Sequence, residues 1–180
     1  RLMIDDAHGV GYLGDRGSGT VSHHHCVQDV DLIVGTFSKS FASVGGFATG
    51  DEEVIEYLMH HARSFIFSAS IPPASVAAAR QAIPLIEHGE DLREKVIANA
   101  EMFRTGLNAR GFETGYSETP IVPVLIRDEI LTFKMWRELL DAGVYTNPVR
   151  APGVPRGREL LRTSLMATHS KEDIKEAIDI

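Results

Sequence analysis

The sequence predicts an α/β fold over its first half and a smaller α+β unit over its second. Three observations carry this. The apolar runs Leu2-Met3-Ile4 and Leu32-Ile33-Val34 each end in acids, glycines or hydroxyls, as strands do at a ligand-binding sheet edge. Helical periodicity follows them from about residue 51 to 110. Beyond that, short β-like runs at 121–126, 144–146 and 160–165 are separated by helical patterns. Two domains are expected: 1–90, the end of a large cofactor-binding domain, and 91–180, a linking helix with a small α+β domain.

The elements follow in order. Leu2 to Ile4 is a strand leading into Asp5-Asp6-Ala7-His8 and a glycine-rich stretch through Gly19. Asp31 to Val34 is a buried strand that breaks at Gly35. From Asp51 to about Arg63, acids in the first turn precede Val54, Ile55, Tyr57 and Leu58, which suits a helix start. Pro72-Pro73 opens an alanine-rich helix to about His88, since proline is tolerated in a first turn. Leu92, Val96, Ala100, Phe103 and Leu107 keep helical spacing, with Gly111 as C-terminal cap. This long helix is expected to bridge the two domains. Ile121 to Ile126 is a strand, and Thr132 to Asp141 a helix with Phe133, Trp136 and Leu140 on one face. Val144–Thr146 and Leu160–Leu165 are strands, and Ser170 with Asp173 forms a capping-box start to the last helix. Met3, Met102, Met135 and Met166 are expected in the core.

Charge and composition exclude several function classes. Eighteen basic against 25 acidic residues leave a net charge of −7, with no basic stripe for nucleic acid. The single cysteine, Cys26, excludes an internal disulfide, fits a reducing cytoplasm and is expected to be a small packed residue. No apolar span approaches the ~20 residues of a membrane helix, and no signal peptide is seen. His23-His24-His25 lacks an accompanying ligand set, so a solvated loop is favoured over a metal site.

The chemistry concentrates in Gly35-Thr36-Phe37-Ser38-Lys39-Ser40 and Val44-Gly45-Gly46-Phe47. A lysine just past a buried strand, among small residues that let a ligand approach, is placed as an amine nucleophile. Lysine forms Schiff bases with aldehydes, and pyridoxal phosphate is the commonest such partner. The competing reading is a surface lysine after an ordinary turn. Asp5, at a strand's carboxyl end, supplies the second half of the chemistry. A buried carboxylate there would keep a pyridinium nitrogen protonated and the ring electron-withdrawing. Arg162, in Leu160-Leu161-Arg162-Thr163-Ser164, sits in an otherwise apolar strand, where burial without an anionic partner is costly. Its planar guanidinium can hold a carboxylate at two points.

Together, Asp5-Asp6-Ala7-His8, the glycine-rich run to Gly19, residues 35–40 and Phe67-Ser68-Ala69-Ser70-Ile71-Pro72-Pro73 resemble the α-oxoamine synthase family. Within it, Phe37, Ser38 and Ser40 resemble the serine palmitoyltransferase branch. The resemblance implies the aspartate aminotransferase-like fold type I of pyridoxal-phosphate-dependent transferases. It also implies decarboxylating condensation of an amino acid, here L-serine, with a long-chain acyl-CoA, the first step of sphingolipid synthesis. Other members, 8-amino-7-oxononanoate synthase and 2-amino-3-ketobutyrate CoA ligase, are the alternatives. A non-catalytic partner subunit is a third, against which the retained Lys39 argues, and an aminotransferase of the same fold is a fourth.

The resemblance also assigns roles. Lys39 holds pyridoxal phosphate as a Schiff base, Asp5 partners the ring nitrogen and His8 the ring hydroxyl. Thr36 and Ser38 contact the phosphate. Ser68 reaches the phosphate of the other subunit, implying a homodimer with shared active sites. Arg162 grips the amino-acid carboxylate, and Arg150 in Asn147-Pro148-Val149-Arg150-Ala151-Pro152 is the second candidate. Pro152-Gly153-Val154-Pro155 departs from the family's Pro-Ala-Thr-Pro, and Asp6 from its usual glutamate. A long-chain acyl substrate is compatible with peripheral membrane contact, in a protein expected to be cytoplasmic. Family members run to roughly twice this length, so the chain is expected to be a second half, inactive alone.

Overall fold

A computed structural model describes all 180 residues, Arg1–Ile180. The chain divides into two compact units, Arg1–Arg93 and Glu94–Ile180. In the first unit, β1 (Met3–Asp5) pairs in parallel with β2 (Leu32–Thr36), and β2 pairs antiparallel with β3 (Gly46–Gly50). A parallel pair needs a crossover, and the glycine-rich stretch with the short helix α1 (Thr20–His23) supplies it. The helices α2 (Glu52–His61), α3 (Arg63–Ile66) and α4 (Pro73–Glu87) follow. Pro73 stands in the first turn of α4, and Pro84 lies inside that helix. Val21, Phe41 and Ala79 are the buried apolar side chains of this unit.

In the second unit, α5 (Glu90–Ala109, its first turn in the first unit) precedes an antiparallel sheet ordered β4 (Ile121–Leu125), β6 (Leu160–Ser164), β5 (Asn147–Val149). Pro123 and Pro148 both fall on edge strands, where a missing N–H is tolerated. Two further helices, α6 (Glu129–Asp141) and α7 (Lys171–Asp179), complete the unit. Its core joins Ala100, Phe103 and Leu107 of α5 to Val122, Val124 and Leu161 of the sheet and Ile174 and Ile178 of α7. The i, i+3, i+7 and i, i+4 spacings put these on single helix faces.

Several expectations need correction. The strand β3 was not foreseen, because Gly46 and Gly50 at its ends lower its strand propensity. The strand expected at Val144–Thr146 forms instead at Asn147–Val149. Gly143, at φ 93°, closes α6 with its N–H on the Leu140 carbonyl (3.1 Å), while the Val144 N–H donates to Leu139 (2.8 Å). Those bonds make a Schellman close that keeps residue 144 out of the sheet. α6 begins earlier than Thr132, capped by Asp128, which accepts the Leu131 N–H at 2.7 Å. Its inner face carries Thr132, Met135, Trp136 and Leu139, while Phe133 is exposed. Met3 and Met166 are exposed rather than core; Met102 and Met135 do pack against the second unit's core.

The capping box at α7 is formed: the Ser170 hydroxyl accepts the Asp173 N–H (3.1 Å), and the Asp173 carboxylate accepts the Ser170 N–H (2.8 Å). Ser170→Ala should therefore cost about 0.5–2 kcal/mol, read as a lower denaturation midpoint. The Ser170 backbone N–H, then its hydroxyl, hold the Asp173 carboxyl below the usual carboxylate range. A depressed folded pKa stabilises above the unfolded value, ~3.9, and that contribution is lost as pH falls through the folded one. The acid-side loss should be smaller in Ser170→Ala.

Candidate active site

The parallel register sets Asp5 opposite Val34, so the carboxyl ends of β1 and β2 open side by side. Asp5 leaves β1 exposed, and its carboxylate accepts the Ala7 N–H at 3.1 Å, a local turn of the kind aspartate favours. The buried carboxylate expected at Asp5 is found one residue on. Met3 and Asp5 share the exposed face of β1, whereas Asp6 is 3% exposed and turns toward the glycine-rich stretch. His8 follows in the turn and is exposed.

After β2 the chain makes a loop to β3 that is held at several points. The Phe37 N–H donates to Gly45 (2.9 Å), the Ser43 N–H to Phe37 (2.8 Å) and the Ala42 N–H to Lys39 (2.9 Å). Gly45 has φ 113°, and a Cβ there would run into Ile71. Beneath the loop, Phe37, Phe41 and Phe47 pack with centroids 5.3–6.1 Å apart, and Phe41 is buried. The Phe47 ring fills the space that a side chain at Gly35 would need. Lys39 stands exposed on the outside of this loop. Beside it the Thr36 and Ser38 hydroxyls lie 2.8 Å apart, the Ser38 N–H donates to Thr36 Oγ1 (3.2 Å), and Thr36 Oγ1 donates to the Gly45 carbonyl (3.2 Å). Ser40 donates to the Val10 carbonyl (2.8 Å), tying the lysine loop to the glycine-rich stretch.

Within the first unit, then, one sheet edge carries an exposed amine, an exposed carboxylate and a hydroxyl pair with a backbone N–H. That donor set matches an aldehyde, a pyridine nitrogen and a phosphate, so the residues fit pyridoxal phosphate. Ser68 is elsewhere in the same unit, exposed between α3 and α4. Arg162 and Arg150 belong to the second unit. Arg162 is half-buried on β6, opposite Pro123 and Asn147. Arg150 directly follows β5, exposed, its guanidinium 2.9 Å from the Glu129 carboxylate. The histidines 23–25 are exposed, with the His23 and His24 rings edge to face at 4.9 Å. Cys26 donates to the Val21 carbonyl at 3.6 Å.

Sequence reasoning named Asp6 and Ser40 without foreseeing their bonds to Thr20 and Val10, and it missed the phenylalanine cluster. The Phe37–Phe41 spacing about the lysine was the available signal.

An exposed lysine in the loop that leaves β2, with Asp5 at the end of the neighbouring parallel strand β1, fits the class of pyridoxal-phosphate enzymes of fold type I. The family profile described as aminotransferase class I and II matches residues 1–180, and the chain belongs to that family, whose cofactor is pyridoxal phosphate. It is 47% identical over 178 residues to the serine palmitoyltransferase of Sphingobacterium spiritivorum, covering 99% of this chain and 45% of that protein. To the 8-amino-7-oxononanoate synthase of Geotalea daltonii it is 44% identical over 179 residues, covering 98% and 46%. A high-resolution structure of serine palmitoyltransferase with its pyridoxal phosphate internal aldimine matches with TM-score 0.93 at 36% identity, covering 98% of this chain and 45% of that one. The chain thus spans about half the length of the relatives it matches. No helix is long and apolar enough to cross a membrane.

Proposed function

We propose that this chain carries the lysine side of an α-oxoamine synthase active site that joins L-serine to a long-chain acyl-CoA. The α-carbon of serine bonds to the acyl carbonyl carbon, coenzyme A leaves as the thiol and the carboxyl group as carbon dioxide. The product is a 3-ketosphinganine-type ketone, the entry to sphingolipid synthesis. The observation that carries this reading is Lys39, exposed on a multiply tied loop at the carboxyl ends of parallel strands, in the Phe37-Ser38-Lys39-Ser40 context.

When bound, pyridoxal phosphate supplies an electron sink for negative charge at the amino-acid α-carbon. Lys39 would hold the cofactor's aldehyde carbon through its amine, and the same amine would serve to move a proton at the amino-acid α-carbon. Asp5 holds a proton at the pyridine nitrogen, and its exposure leaves it open to a ligand. His8 donates to the ring hydroxyl. Thr36 and Ser38, whose hydroxyls lie 2.8 Å apart, would hold the phosphate. Ser68 reaches the phosphate site of a second subunit, so the working form is a homodimer. Arg162 grips the amino-acid carboxylate at two points, and Arg150, which pairs with Glu129, is the runner-up.

A second reading, 8-amino-7-oxononanoate synthase, is favoured by the 44% identity to such an enzyme, close to the 47% above. Product analysis of the whole protein with L-serine, glycine and L-alanine, each against short and long acyl-CoAs, separates the two. We expect a ketone with carbon dioxide release from serine and long chains. Turnover confined to another amino acid and short chains would transfer the protein to the second reading.

A further inference from the structure

Asp6 is a buried carboxylate that the proposed chemistry does not use. Its Oδ1 accepts the Thr20 hydroxyl at 2.5 Å and its Oδ2 the Thr20 N–H at 2.8 Å. The two glycines around it leave no alternative shape. A Cβ at Gly9 would overlap the Asp6 carboxylate and the Thr20 hydroxyl, and one at Gly19, where φ is 107°, would overlap the carboxylate again. On the backbone, the Asp6 N–H donates to Val34 (2.7 Å), and the Asp6 carbonyl accepts from Gly9 (3.2 Å) and Val10 (3.3 Å). The residues between these points are Ala7 and His8. Val10, in turn, is where Ser40 attaches the lysine loop, and the absent side chain of Gly11 makes room for Ser40.

We propose that Asp6 and Thr20 form a positioning clamp that fixes the Asp5–His8 segment and, through Val10 and Ser40, the loop carrying Lys39. The proposal rests on the cofactor-site reading above. Burying a carboxylate is costly, and hydrogen bonds to charged groups are stronger than neutral ones, so the clamp is stiff when both donors are present and strained when one is missing. Thr20→Val keeps the shape and removes the hydroxyl, while Thr20→Ser keeps the hydroxyl.

The test compares the whole protein with these two variants by two readouts. In the cofactor-free protein, amide hydrogen exchange in segments 7–11 and 39–43 should rise about tenfold in Thr20→Val and stay at the parent level in Thr20→Ser. In the protein loaded with pyridoxal phosphate, the pH midpoint of the visible absorption band should move by about one unit in Thr20→Val and return in Thr20→Ser, because the charged groups around the ring are displaced. A lower melting temperature with both readouts unchanged would make Asp6 a purely structural residue and overturn the clamp. If the parent shows no visible band, the cofactor reading fails, while the exchange result still decides whether the clamp exists.

Discussion

Lys39→Ala is expected to abolish turnover, by several orders of magnitude, and to remove the visible band that borohydride bleaches in the parent protein. The magnitude follows from chemistry: a covalent amine has no substitute once its nitrogen is gone. The fold should survive. Lys39 is exposed, and the loop beneath it is held by backbone hydrogen bonds and the Phe37, Phe41 and Phe47 rings, none of which the substitution touches. Surface substitutions of this kind change stability by within about 0.5 kcal/mol. Absorbance spectra and thermal melts of both proteins check the two halves together. Turnover near the parent rate in Lys39→Ala would end the assignment.

The second large effect is expected at Arg162. An ammonium cannot reproduce the two-point contact of a guanidinium, so Arg162→Lys should not behave as conservative. Charged hydrogen bonds contribute roughly 1.5–3 kcal/mol, so apparent affinity for the amino acid should fall by about one to two orders of magnitude. Acyl-CoA affinity should change much less, and the preference for serine over glycine should persist, since both share the carboxylate. Titrating each amino acid against the cofactor's absorbance measures this directly. An unchanged serine dissociation constant would pass the role to Arg150, whose guanidinium would first have to leave Glu129.

Much of this was legible in the chain. The acids after Ile4 marked the end of β1, whereas β2 runs through the expected break at Gly35 to Thr36, because both residues pair with β3; the register sets Asp5 level with Val34. Ser170 and Asp173 announced a capping box that is formed with both hydrogen bonds. Pro73 opened α4 as the first-turn tolerance of proline predicts. What was not legible depends on partners distant in sequence. β3 exists because Gly46 to Gly50 can pair with β2, although glycine disfavours strands in isolation. Which of Asp5 and Asp6 is buried cannot be read from a three-residue strand, because the choice is made by Thr20, Gly9 and Gly19 across the glycine-rich loop. The strand after α6 starts late because the helix's closing bonds consume the Val144 N–H. Periodicity located the helices better than it located their inner faces: Phe133 obeys the spacing yet is exposed, and Met135 is the residue packed.

The central claim is that Lys39 is the amine that carries pyridoxal phosphate. Its most direct test is borohydride reduction of the cofactor-loaded whole protein, followed by proteolysis and mass mapping of the modified peptide. A single reduced pyridoxyl adduct is expected on the peptide containing Ser38-Lys39-Ser40, with none on that peptide in Lys39→Ala. An adduct on another lysine, with Lys39 recovered unmodified, would contradict it.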